Sequence, residues 1–218
     1  MFQTFTIVAF LTTLLGIVVH WLVSRQKPIA AERESFLIRN VQKIVHLGTL
    51  VLLEQKLSLI GILRKLVFLL ALLCFVVLVV TGFYPVLIWG EHLTGWLLMI
   101  HATFAPVFAV CLAILAVMWA DRCRFDKTDC PVLQRLIHGE TATQEPAAGG
   151  CHAAQKVCFW LIVLLSLPLI LSIVLSMFKL FGAEGQKFLL EVHRYSALFF
   201  ALAAFVYLYL AIKTQTRQ

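Results

Sequence analysis

Charge is what this sequence has least of. Only 13% of its 218 residues are Asp, Glu, Lys or Arg, against 61% hydrophobic residues and a mean hydropathy of +0.95. Soluble domains carry about a quarter charged residues, so a water-soluble fold is excluded and an integral membrane protein is implied. No Lys or Arg precedes the first apolar run, Phe5 to Val23. A secretory signal peptide begins with a positive region, so this run is expected to stay in place as an anchor. No two cysteines have the close C-x2-C spacing usual in zinc and iron–sulfur sites. Cys123 with Cys130 and Cys151 with Cys158 are both C-x6-C. No set of side chains suggests a hydrolytic or group-transfer catalyst.

Five runs are long and apolar enough to cross a bilayer of ~30 Å: Phe5 to Val23, Lys65 to Tyr84, Leu93 to Ala120, Val157 to Phe181 and Leu189 to Ile212. Of the 18 Lys and Arg, 15 fall in the linker after the first run, the loop after the third and the C-terminal tail. Only Lys179, Lys187 and Arg194 belong to the other side. The positive-inside rule then sets the N-terminus outside and the C-terminus in the cytoplasm, in a bacterial or archaeal inner membrane. The net charge of +7 is thereby a topology signal, and nucleic acid is not an expected partner. In that arrangement all six cysteines lie within spans or toward the reducing side, and structural disulfides are not expected.

Residues 1–24 form the anchor and 25–61 a cytoplasmic linker. In the linker Leu37, Ile38, Val41, Ile44 and Val45 recur at helical spacing, as in an amphipathic surface helix. Residues 62–218 form a four-helix core with a cytoplasmic loop at 121–156. The fold class is all-α integral membrane. Pro106 and Pro168 interrupt spans three and four, where a kink is expected and tolerated.

Two histidines stand inside the spans. An imidazole facing lipid is costly, so His193 is expected to face protein, and Ala197 and Ala201 follow it at four-residue steps. His101 is followed in the same way by Ala105, Ala109 and Ala113. With both spans running inward, His101 and His193 lie at one depth, within about two turns of the outer surface. Level histidines above small residues are what bis-histidine ligation of a haem between helices requires. The plainer alternative is a hydrogen-bonded pair that holds helices together. His92 lies nine residues before His101, about half a turn away, and cannot face the same haem. Arg194 is the candidate for pairing haem propionates. Gly82, at the same depth, either admits a porphyrin edge or lets two helices pack closely. His20, beside Trp21, and His46 are expected at membrane interfaces.

Spans two to five resemble the b-type cytochrome subunits of respiratory formate dehydrogenases and nickel–iron hydrogenases. The residues that carry the resemblance are Thr81-Gly82 closing the first core helix, Gly95 and His101 in the next, HAAQKVCFW from His152 to Trp160, and His193-Arg194-Tyr195 in the last. It covers roughly residues 62–212. It implies a four-helix haem-binding bundle in which His101 and His193 are axial ligands of haem iron. Members of that family usually hold a second, inner haem, one ligand of which falls 14 residues after the position of His193. Here that position is Tyr207, and span two has no histidine, so one haem b is expected. The resemblance further implies an electron-transfer subunit passing electrons between an extracytoplasmic iron–sulfur or haem subunit and the quinone pool. Quinone is expected toward the cytoplasmic half beside Tyr207, or else beside the haem on the outer side. The reading from another class is a non-redox anchor, or a small proton or metal transporter with buried histidines.

Overall fold

The computed structural model describes residues 2–25, 59–125, 153–178 and 181–215. The amphipathic-linker expectation and most of the loop with its cysteine pairs lie outside these residues. The secondary structure described is five long helices: α1 (Phe2–Arg25), α2 (Leu59–Ile88), α3 (Gly95–Ala120), α4 (Ala153–Met177) and α5 (Gly182–Gln215). Each contains a membrane-spanning stretch, and with 24 to 34 residues each exceeds the ~20 that a bilayer core demands. This is an all-α, multi-pass membrane protein.

The helices overrun the apolar stretches at most ends. α2 begins at Leu59 and continues to Ile88, past the glycine at 82 and through Pro85. The reason is that a helix satisfies its own backbone while lipid offers no hydrogen bonds, so apolar length sets a minimum and the helix continues into the interface. α3 and the C-terminal end of α4 are the exceptions: α3 begins at Gly95 instead of Leu93 and ends with the apolar run at Ala120, and α4 stops at Met177 instead of reaching Phe181. Pro106 and Pro168 lie inside α3 and α4 without ending them.

α2 pairs with α3 and α4 with α5 as two antiparallel hairpins. Both of their connections fall at one end of the bundle, here termed the hairpin end. α1 starts at that same end and runs parallel to α5, as a ladder of contacts records: Phe2 with Tyr195, Phe5 with Phe199, Phe10 with Phe205, and His20 Nδ1 at 2.8 Å from the Tyr209 hydroxyl. The arrangement is an N-terminal helix laid against a four-helix bundle.

Lipid is as apolar as leucine, so burial of leucine drives little association here, and helices hold together by close packing and by ring contacts. Leu11, Leu14, Leu15, Val117, Leu164 and Leu167 accordingly point outward and are well exposed. Inside the bundle, Phe75, Phe108 and Phe200 form a closed triangle with ring centroids 5.8 to 6.2 Å apart. Cys74 is fully buried beside it, and Phe104, Ile162, Leu165 and Leu169 pack round it. Such aromatic pairs contribute about 0.5–1.5 kcal/mol each beyond their area, which gives the centre of the bundle a fixed plug.

Candidate haem site

His101 on α3 and His193 on α5 both lie near the hairpin end, His101 against α2 and His193 against α4. Each is held through Nδ1. His193 Nδ1 lies 3.0 Å from the carbonyl oxygen of Leu169 on α4. A carbonyl can only accept, so Nδ1 carries the proton and donates. The Ser172 hydroxyl lies 3.5 Å from the same nitrogen and itself donates to Leu169 O at 3.0 Å.

His101 is settled by a similar count of hydrogens. Its Nδ1 is 2.9 Å from Thr81 Oγ1 on α2, and Thr81 Oγ1 is also 2.7 Å from the carbonyl of Val77. The hydroxyl has one hydrogen, and two oxygens at 2.7 Å need it between them. Toward His101 the oxygen is therefore an acceptor, and again Nδ1–H donates. In their neutral forms both rings then carry the free lone pair on Nε2. Among the described residues no hydrogen bond engages either Nε2.

This donor set fits a haem. An axial histidine binds iron through one nitrogen while the other donates to a carbonyl or hydroxyl that fixes the tautomer and the ring plane. Here both rings are so prepared, from two different helices. The bland alternative, in which the histidines merely tie helices together, accounts for the Nδ1 bonds. It gives no role to the two Nε2 atoms, which make no hydrogen bond among the described residues.

The layers below the pair repeat on both helices. Ala105 follows His101 and Ala197 follows His193 at the fourth position, both half buried, and Phe108 and Phe200 follow at the seventh, both buried. Seven residues are about 10.5 Å of rise and nearly two full turns, so the two phenylalanines floor the space under the histidines. The register His-x3-Ala-x2-Phe occurs identically in α3 and α5. Sequence reasoning followed the alanines and missed it. The alanine stripes themselves are shorter than expected: Ala201 is 1% exposed, in a cluster with Phe83 and Leu198, and Ala113 faces outward.

Gly82 stands against the imidazole of His101. A Cβ there would lie 3.2 Å from His101 Cε1, tighter than ordinary contact. What the glycine admits closely is the ring of His101. Thr81, noted in the sequence only as a helix end, turns out to be the residue that orients His101. Its signal was available: 20 residues before His101 in an antiparallel hairpin is a facing position.

Arg194 points away from His193 toward α1. Its Nη1 donates to Glu191 at 3.1 Å, and the ring of Phe2 covers the guanidinium at 4.3 Å. His92 precedes α3, is exposed, and lines a cavity with Arg194. Tyr207 lies with its ring tilted against Trp119, at 6.5 Å between centroids, far along the bundle from the histidines. The Trp119 indole N–H is buried and has no partner among the described residues. The four described cysteines, Cys74, Cys111, Cys123 and Cys158, are thiols.

No curated protein and no solved structure matches the chain. Residues 61–218, the four core helices with both histidines, match the family described as prokaryotic cytochrome b561, while α1 lies outside the match. The chain therefore belongs to the prokaryotic cytochrome b561 family, a membership that brings with it haem b and electron transfer within a prokaryotic membrane.

Proposed function

We propose that this chain is the haem b electron-transfer and anchor subunit of a membrane respiratory oxidoreductase, holding one haem between His101 and His193 at the hairpin end. The observation that carries the reading is the pair of Nδ1 bonds, His101 to Thr81 and His193 to Leu169, which leave two Nε2 lone pairs for one iron. Haem b, once bound, supplies a reversible one-electron couple. The protein's part is position. Thr81 and Leu169 hold the ring planes, Ala105 and Ala197 leave space for a flat macrocycle, and Phe108 and Phe200 end that space.

The reading takes one haem per chain, and the packing beyond the histidines supports it. The layer of Tyr207, where an inner haem ligand would stand, holds Trp119 against Tyr207 and Phe68 against Trp119, the Phe75, Phe108 and Phe200 triangle closes the bundle between that layer and the histidines, and α2 offers no histidine. The distribution of Lys and Arg puts the hairpin end outside, where a redox partner with its own iron–sulfur or haem centre would exchange electrons with the chain. The quinone pool is the other electron carrier. Its site is either beside Tyr207 and Trp119 or at the hairpin end near the histidines.

Purified full-length chain should give a b-type pyridine haemochrome, and its ferric form a low-spin electron paramagnetic resonance spectrum of the bis-imidazole type. An absence of b-type absorbance would leave the membrane anchor or transporter as the surviving reading. Identification of the subunit that co-purifies with the chain names the partner.

A further inference from the structure

Near its start the N-terminal helix forms one wall of a cavity that the histidine pair does not use. The cavity has a volume of about 340 Å3 and lies at the hairpin end, between Phe2 and Gln3 of α1, His92 of the α2–α3 connection, and Glu191 and Arg194 of α5. Gly90 at its edge has φ +69°, a left-handed turn that glycine takes freely. A Cβ there would stand 2.9 Å from Gln3 Oε1, and Gln3 donates from Nε2 to Leu87 O at 3.2 Å, which pins α1 to the end of α2. Phe2 is held from the other side, edge-on to Tyr195 at 5.2 Å and 4.3 Å from the Arg194 guanidinium.

The wall carries both signs of charge. Arg194 Nη1 donates to Glu191 at 3.1 Å, the Arg194 side chain being 18% exposed and that of Glu191 47%. An anion alone would face the Glu191 carboxylate, and a cation alone would face the guanidinium. A ligand with one charge of each sign, a few bonds apart, complements both. Each side has capacity left, because a guanidinium has five N–H donors and a carboxylate two acceptor oxygens, and their mutual contact uses one of each. His92 makes no hydrogen bond among the described residues and adds a ring N–H.

The rings decide the kind of cation. A quaternary ammonium is held over open aromatic faces, but Arg194 already covers the ring of Phe2. A primary ammonium donates hydrogen bonds instead, which the second oxygen of Glu191 accepts. From the cavity a row of exposed rings continues between α1 and α5: Tyr195, Phe5 and Phe199, with successive centroids 5.9 and 6.4 Å apart. Charged head space at the membrane interface, opening onto an apolar groove, has the layout of a phospholipid.

We propose that this cavity binds one phospholipid with a phosphoethanolamine headgroup, its phosphate accepting from Arg194 and His92, its ammonium donating to Glu191, and an acyl chain lying along Tyr195, Phe5 and Phe199. The lipid fills the crevice between α1 and α5 and so joins α1, which lies outside the family match, to the core. Nothing in this assignment depends on haem or on electron transfer.

The test is site-resolved lipid binding. Full-length chain in nanodiscs is photolabelled with phosphatidylethanolamine carrying a diazirine on its acyl chain, and labelled peptides are identified by mass spectrometry. Label is expected at the start of α1 and near residues 191–199 of α5. Unlabelled phosphatidylethanolamine should displace it about tenfold more effectively than phosphatidylcholine or phosphatidylglycerol, the worth of one charge-assisted hydrogen bond. Arg194→Met should weaken labelling about tenfold. Glu191→Gln leaves Arg194 without its counter-charge and should reverse the preference, so that phosphatidylglycerol becomes the better competitor. Glu191 is half exposed at its side chain, so this variant keeps the test valid if the Arg194 variant fails to fold. Equal displacement by all three lipids, label confined to other faces of the bundle, an unchanged preference in Glu191→Gln, or displacement by an isoprenoid quinone at lower concentration than by phosphatidylethanolamine would each overturn the proposal.

Discussion

At the hairpin end the core helices bring together polar atoms in matched pairs, and in the middle and toward the other end they bring together rings. Four helices supply both regions. Near the hairpin end His101 and His193 are oriented from α2 and α4 through Nδ1, and their Nε2 atoms make no hydrogen bond among the described residues. Two helical turns further on, the same faces of α3 and α5 carry Phe108 and Phe200, closed by Phe75. Beyond them come the stacked Phe68 and Trp119, 5.7 Å apart, and then Tyr207. The difference teaches where a planar cofactor has room. Small side chains next to fixed imidazoles make a binding layer, and large rings in the same register make a floor.

The largest effect should come from emptying the polar end. His101→Ala or His193→Ala removes half of one axial pair, and bound haem should fall to near background in either variant, measured as haemochrome per chain, with the chain still inserted in the membrane. Normal low-spin haem in either variant would erase the distinction between the two regions.

Next in size is Thr81→Val, which keeps the shape and removes the acceptor that fixes the tautomer of His101. Loss of such a partner typically costs ~10–100-fold in metal affinity, so haem should be retained more weakly in a competition assay with an apo-haem acceptor. An unchanged affinity would mean that Thr81 is merely a neighbour.

A smaller shift is expected from Gly82→Ala. Its Cβ would stand 3.2 Å from His101 Cε1, so the ring must move by a few tenths of an ångström. The variant should still bind haem, with altered g-values in the low-spin spectrum. Identical spectra would show that the helices separate instead. The smallest effect sharpens the comparison from the ring-filled side: Tyr207→His installs one of the absent inner ligands but should add no haem, because Trp119 and Phe68 remain at that level and α2 still lacks a histidine.

Much of this was legible in the sequence. The five helices follow from apolar length alone, since lipid leaves a spanning chain no other way to satisfy its backbone. The facing of His101 and His193 follows from cost, because neither ring belongs in lipid, and from the parallel direction of their helices. The parts that were not legible are those that depend on a second helix arriving. Thr81 reads as an ordinary helix-end residue until α3 lies beside it, and the carbonyl of Leu169 has no side-chain signal at all. Ala201 looks like open space until Phe83 covers it. Arg194 sits next to His193 in sequence yet points about 100° round the helix, to Glu191 and Phe2. Adjacency on a helix is separation in direction.

The account stands most directly on the number of haems held by a chain whose polar end is intact. Haem-to-chain stoichiometry of purified full-length protein, by haemochrome absorbance against quantitative amino-acid analysis, should be about one in the wild type and near zero in the His101→Ala, His193→Ala double variant. A ratio near two, or a ratio that survives loss of both histidines, would contradict it.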